Sequence, residues 1–176
     1  VHHRCADDGP LGRIFHNVLI PDVGPMRYTV YDRLELLKAL DVPHDGIELD
    51  LKFSPADEKK ALDFLKRSGL EDARTPFVTF DITSPRRRRR WAPEKFAALA
   101  DRLEEDFRLR TVFLAGPGEL DYVRKALSFT KASHLFCPDF DLLDLAALAR
   151  RAALHVGTSS APMHIAVSQG TPTFTV

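Results

Sequence analysis

From about Gly46 onward the sequence predicts an α/β fold: a doubly wound, Rossmann-like domain on a parallel sheet. Short aromatic and β-branched runs alternate with stretches of helical period, the pattern of parallel strands joined by helical crossovers. Every unusual loop, at 81–92, 115–119, 137–140 and 157–164, follows a strand-like run, and such sheets bind ligands outside the carboxyl ends of their strands. The chain has 176 residues, 44% hydrophobic and 28% charged, enough apolar material for the core of one domain.

The elements follow in order. Residues 1–45 are broken by Pro10, Pro21, Gly24-Pro25 and Pro43 and are expected to be the tail of another domain plus a linker. Within them Tyr31–Leu40 has helical spacing, with Leu34, Leu37 and Leu40 along one face. Residues 46–176 form the predicted domain. Ile47–Leu51 alternates like a half-exposed strand, and a helix then runs to Arg67 and closes on Ser68-Gly69. Phe77–Phe80 is a strand, and Pro93 opens a helix carrying Phe96, Leu99, Ala100, Leu103 and Phe107 on one face. Thr111–Leu114 is the next strand, followed by a helix from Glu119 to Leu127. His134–Phe136 is a short strand before a helix over Asp141–Ala152. Leu154–Val156 is a strand, an apolar helix runs to Ser168, and Thr173–Val176 is the last strand.

Composition narrows the function. Lys+Arg and Asp+Glu number 25 each, so the formal charge is zero and a bulk nucleic-acid binder is not expected. Cys5 and Cys137 make neither a disulfide framework nor a CxxC ligand pair, and no apolar run reaches bilayer length. The expectation is a reduced, soluble, cytoplasmic protein. The chain opens on Val1 and closes inside a strand-like run at Val176, so a fragment truncated at its C-terminus is expected.

Three constellations carry chemistry. Arg86–Arg90, followed by Trp91, places five cations between a strand and a helix N-terminus. Guanidinium forks suit phosphate or carboxylate oxygens there, and the same run would serve RNA or an anionic membrane. Ala115-Gly116-Pro117-Gly118-Glu119 is a turn that lets a ligand approach the backbone, and its carboxylate could accept from ribose hydroxyls or simply favour the helix dipole. Gly157-Thr158-Ser159-Ser160-Ala161-Pro162-Met163-His164 offers hydroxyls and backbone N–H groups to an anion, with Ser160 and His164 on one helical face. No G-x-S-x-G elbow surrounds either serine, so a serine hydrolase is not expected. G-x-G-x-x-G and Walker A sequences are absent, and the scattered histidines lack metal-ligand spacing.

The stretch Val156–Ala166, closed by Gly170-Thr171-Pro172, resembles the signature of glycosyltransferase family 9, the ADP-heptose lipopolysaccharide heptosyltransferases and their relatives. Arg89-Arg90-Trp91-Ala92-Pro93 resembles the family's Lys-Arg-Trp-Pro segment, Ala115–Glu119 its Gly-Gly-Pro-x-Glu turn, and Leu142–Ala149 its Leu-x-Glu-Leu-Ala-Ala-Leu helix. Tyr28–Pro43 is similar to its interdomain helix. The resemblance implies a GT-B enzyme of two Rossmann-like domains, with this chain holding most of the donor-binding one. It implies an inverting transfer, usually without a metal or other cofactor, from a nucleotide diphosphate sugar such as ADP-heptose. The implied acceptor is a lipid-linked glycan, met by a cytoplasmic enzyme that can sit peripherally at an anionic inner-membrane surface; no nucleic-acid partner is expected.

Carried over by position, Arg89 stands where the family's lysine meets the donor diphosphate and Glu119 where its glutamate approaches the ribose. Phe140 falls near the base, while Ser160 and His164 match the signature's hydroxyl and histidine. Ser159-Ser160-Ala161 replaces the usual Asp-Ser/Thr-Gly, so Ser159 removes a carboxylate and Ala161 adds a methyl. Asp81-Ile82-Thr83 occupies the region of the usual Asn-Pro-Gly. These departures leave a second reading open, a non-catalytic nucleotide or carbohydrate binding module. The family's catalytic base belongs to the N-terminal domain, so none is named here and this chain alone is expected to be inactive.

Overall fold

The computed structural model describes residues 5–7, 18–20, 29–44, 46–71, 75–84, 88, 90–116, 118–137, 139–158 and 161–176. These fall into two compact units, Val1–Glu48 and Leu49–Val176.

In the first unit, β1 (Cys5–Asp7) and β2 (Val18–Ile20) pair in parallel, two short strands that the proline-broken sequence does not predict. Helix α1 spans Thr29–Lys38, so Leu40 of the expected apolar face lies beyond its end.

The second unit is built on one sheet. Helix α2 (Pro55–Arg67) begins at a capping box in which Ser54 and Asp57 satisfy each other's backbone N–H groups, with Pro55 in the first turn. Strand β3 (Phe77–Asp81) is buried at every position. Helix α3 (Pro93–Phe107) ends on Arg108 in the left-handed conformation. Next come β4 (Arg110–Leu114), α4 (Leu120–Leu127), β5 (Leu135–Cys137) and α5 (Leu142–Ala149). Asp141 and Asp144 form a second capping box at the start of α5. Strand β6 (Leu154–Gly157), α6 (Ala161–Ser168) and β7 (Thr173–Thr175) complete the unit.

The five strands are all parallel, in the order β5-β4-β3-β6-β7. The chain therefore runs outward from β3 to β5, then returns to the other side of β3. That reversal is a topological switch point between β3 and β6, where crossovers leave on opposite faces and open a crevice. Asp81 and Gly157 are register partners there.

Alternation along the strands separates two cores. On one face Val78, Phe80, Phe113 and Val156 pack with Phe96 and Ala100 of α3 and Val123 and Ala126 of α4. Edge-on aromatic contacts join Phe80 to Phe96 and Phe113, at 6.0 and 5.4 Å between ring centroids. On the other face Phe77, Val112, Leu114 and Cys137 meet Ala61 and Leu65 of α2, Leu145–Leu148 of α5 and Ile165 of α6.

One expected strand does not form. Ile47–Leu51 takes no ladder partner, and instead the Leu51 carbonyl accepts the Gln169 side-chain amide at 2.7 Å. Alternating hydrophobicity needs a free sheet edge to become a strand, whereas Leu51 and Phe53 pack against the α2–α5 core. The helix expected to reach Ala152 stops at Ala149, and Glu119 precedes α4 rather than beginning it.

Candidate functional site

Parallel pairing puts the carboxyl ends of β3, β4, β5 and β6 on one edge. Over that edge lies a cavity of about 670 Å³. Asp81 and Thr83 line it after β3, Leu114, Ala115, Gly116 and Glu119 after β4, and Cys137, Asp139 and Phe140 after β5. Asp141, Leu142 and Leu145 of the α5 end, with Ala161 and Pro162 of the α6 N-terminus, close it. This volume and the mixture of an apolar floor with a few polar groups are those of a small-molecule site.

The polar groups are tied across strands. The Glu119 carboxylate accepts the Thr83 hydroxyl at 2.5 Å and the Gly116 N–H at 3.1 Å, both on Oε2. The Thr158 hydroxyl donates to the Thr83 carbonyl, joining the β6 loop to the β3 loop. Gly157 sits in close packing: a Cβ there would stand 3.0 Å from His155 Nε2 and 3.6 Å from the Asp81 Cβ, so the buried imidazole would have to give way. His155 lies fully buried behind it, with Nδ1 2.9 Å from the Thr79 hydroxyl and no partner for Nε2 among the described residues. Burial lowers the His155 pKa to about 4, so the ring is neutral near pH 7.

Phe140 forms the outer wall. The Phe64 ring packs against it edge-on at 5.5 Å, and the Lys60 ammonium lies 5.2 Å from its centroid. The same ammonium donates to the Asp139 carbonyl at 2.7 Å and to the buried Asp144 carboxylate, so α2 holds the loop after β5. The Lys60 pKa is raised, chiefly by the hydrogen bond to Asp144. Asp57, Asp141 and Asp144 bring carboxylate oxygens within 4.8 Å of one another, but Asp57 and Asp144 are occupied as capping residues and Lys60 supplies the counter-charge. Cys137 on the floor has its thiol pushed up to about 12 by burial, which leaves it protonated and unreactive.

The cavity brings together Glu119, Phe140 and Ala161 of the sequence-predicted residues. His164 lies exposed on α6 and outside the cavity lining. Arg89, Ser159 and Ser160 lie outside the described residues, as do Arg86 and Arg87. Arg88 is exposed, whereas Arg90 is occupied by the protein itself. Its Nε donates to the Ser84 carbonyl at 2.6 Å and its guanidinium lies 5.1 Å from the centre of the Tyr122 ring, whose hydroxyl in turn bonds the Trp91 carbonyl. Arg90 thus ties the loop to the end of β3 and to α4.

Sequence reasoning gave no site role to Thr83, Cys137, Leu145 or Lys60. Thr83 carried a signal, a polar residue two positions past the aspartate that ends a fully buried strand. Lys60 carried none, because its partners lie 79 and 84 residues away.

The described lining holds four carboxyl groups, Asp81, Glu119, Asp139 and Asp141, and no Lys or Arg. Such a wall suits hydroxyl and amino groups, and it repels phosphate. A parallel sheet of this order with a cavity at its carboxyl edge defines a Rossmann-like α/β domain with a small-molecule site. The chain belongs to glycosyltransferase family 9 (heptosyltransferase), whose profile matches residues 10–176. It is similar to the crystal structure of a family 9 glycosyl transferase from Veillonella parvula, with 27% identity and a TM-score of 0.79 over 96% of this chain and 49% of that one. Escherichia coli ADP-heptose lps heptosyltransferase II shares the fold at 17% identity and a TM-score of 0.67, over 97% of this chain and 54% of that one. So does E. coli heptosyltransferase WaaC with ADP-2-deoxy-2-fluoro heptose, at 16% identity and a TM-score of 0.60, covering 96% and 50%. The chain thus spans about half the length of these structures. No curated protein matches it. No helix among the described residues is long and apolar enough to cross a membrane.

Proposed function

We propose that this chain is the donor-binding half of an inverting glycosyltransferase that moves a sugar from a nucleotide diphosphate to a lipopolysaccharide-type acceptor. The observation that carries this reading is the cavity that joins Glu119, Phe140 and the N-terminus of α6 on one sheet edge. In this reading the nucleoside occupies the cavity, the base lies against Phe140, and the ribose hydroxyls donate to Glu119. The acidic lining directs the diphosphate outward, toward the α6 N-terminus and the arginine loop, where dipole and guanidinium groups favour anions.

An acceptor hydroxyl attacks the anomeric carbon as the bond to the diphosphate oxygen breaks, and negative charge grows on the leaving diphosphate. Cationic and N–H groups at that point stabilise the transition state more than the ground state. The hydroxyl's proton goes to a base on the other half of the enzyme, as the family resemblance implies. The acceptor is a lipid-linked glycan reached from the cytoplasmic side of the membrane, and ADP-heptose is the family's donor. Ser159 and Ala161, standing where the family carries Asp and Gly, support a second reading as a binding module without transfer activity.

Calorimetric titration of the chain with ADP, UDP and GDP tests the assignment. One nucleotide should bind saturably, and Glu119→Ala and Phe140→Ala should each weaken it about tenfold, the loss of one charge-assisted hydrogen bond or one stacked ring. Indifference to all three nucleotides overturns it. Transfer activity in a protein containing both halves separates the enzyme from the binding module.

A further inference from the structure

We infer that Thr83 is a positioning residue that presents Oε1 of Glu119 to the ribose hydroxyls of the nucleotide, an inference that rests on the nucleotide reading above. Thr83 is 3% exposed and lines the cavity two residues past the end of β3. Its hydroxyl stands 2.5 Å from Glu119 Oε2 and 3.4 Å from Asp81 Oδ1. A hydroxyl has one proton to give, and the shorter contact receives it. The Gly116 N–H adds a second donor to the same oxygen at 3.1 Å.

Both internal donors therefore sit on one oxygen of the carboxylate. They come from different loops, one after β3 and one after β4, so the carboxylate is fixed in rotation as well as in position. Oε1 accepts no hydrogen bond from the described residues and keeps its lone pairs for a ligand. Thr83 is itself fixed, because its carbonyl accepts the Thr158 hydroxyl from the β6 loop. Three strand ends thus set the direction of one oxygen before any ligand arrives. Without Thr83 the glutamate would have to lose rotamer freedom on binding, and affinity would fall by that cost. The effect falls on groups that meet Oε1 and spares the base and the diphosphate.

The test compares a nucleoside diphosphate with its 2′,3′-dideoxy analogue by calorimetry, using whichever of ADP, UDP and GDP binds the unaltered chain. Thr83→Val keeps the side chain's shape and removes the donor. It should weaken the ribonucleotide about tenfold and the dideoxy analogue less than about twofold, while Thr83→Ser restores the ribonucleotide. If Thr83→Val lacks a cooperative melt, Thr83→Ala takes its place. Glu119→Gln should abolish the discrimination and leave a second change at Thr83 with no further effect. Equal losses for both ligands, or none for either, overturn the inference while the nucleotide reading stands. Failure of every nucleoside diphosphate to bind the unaltered chain removes both.

Discussion

The two faces of the sheet are built differently. Against α3 and α4 the strands present hydrocarbon, with Phe80, Phe96 and Phe113 interlocked edge to face. The polar members of that side, Thr111 and His134, lie toward the amino ends of the strands, away from the cavity. His134 is held there between Asp101 and Glu104, at 3.1 and 3.5 Å. Against α2, α5 and α6 the strands carry a polar column that rises toward the ligand edge: Thr79 and His155 side by side, then Asp81 beside Gly157. Leu114, Cys137 and Leu145 of this second face form the cavity floor. The first face holds the sheet together, and this leaves the second free to bury groups that cost stability.

The largest effect should come from breaking the aromatic face. Phe113→Ala removes a ring with no exposed surface and should cost about 3–5 kcal/mol in urea unfolding. Most of that cost is lost packing, which does not vary with pH; among the described residues the titratable ring it meets is His134, 6.1 Å away between centroids.

The second face should give the opposite signature. His155 has its pKa lowered from 6.5 to about 4 in the fold, so below pH 6.5 the unfolded chain binds the proton more readily. Stability is therefore full above pH 6.5 and falls as the pH drops toward 4, by about 3 kcal/mol over that window. His155→Asn, which retains a polar atom near Thr79, should lack that part of the slope. Urea midpoints at neutral and mildly acid pH check this, and equal slopes in the two proteins would assign the acid sensitivity elsewhere.

A smaller change sharpens the boundary of the first face. Tyr122→Phe loses the hydrogen bond to the Trp91 carbonyl at 2.7 Å but keeps the ring under Arg90. About 1 kcal/mol of stability should go, and nucleotide affinity should stay unchanged if Arg90 is an anchor of the loop and no ligand of the diphosphate. Thermal melts and the same titrations read both outcomes.

Much of this architecture was legible before folding. The spacing of Phe96, Ala100 and Leu103 marks a buried helix face whatever surrounds it, and Pro93 marks a helix start through backbone chemistry alone. The loops that hold Glu119, Phe140 and Ala161 were recognisable because they follow strands, and parallel strands bring their ends to one edge; the residues themselves were singled out by the family resemblance. Ile47–Leu51 shows the limit. Its alternation is genuine, but a strand is completed by a neighbour, and among the described residues it pairs with none.

The sequence by itself determined the order of strands and helices, the two alternating faces and the edge on which a ligand would sit, because periodicity and turn chemistry act over a few residues. Tertiary structure alone decided which polar groups meet there. Thr83 and Glu119 are 36 residues apart, Thr83 and Thr158 75 apart, and Lys60 and Asp144 84 apart. Whether a hydroxyl or an ammonium finds its partner at such separations depends on the order in which strands join the sheet. That order is fixed by the burial of the whole core, and no local pattern records it.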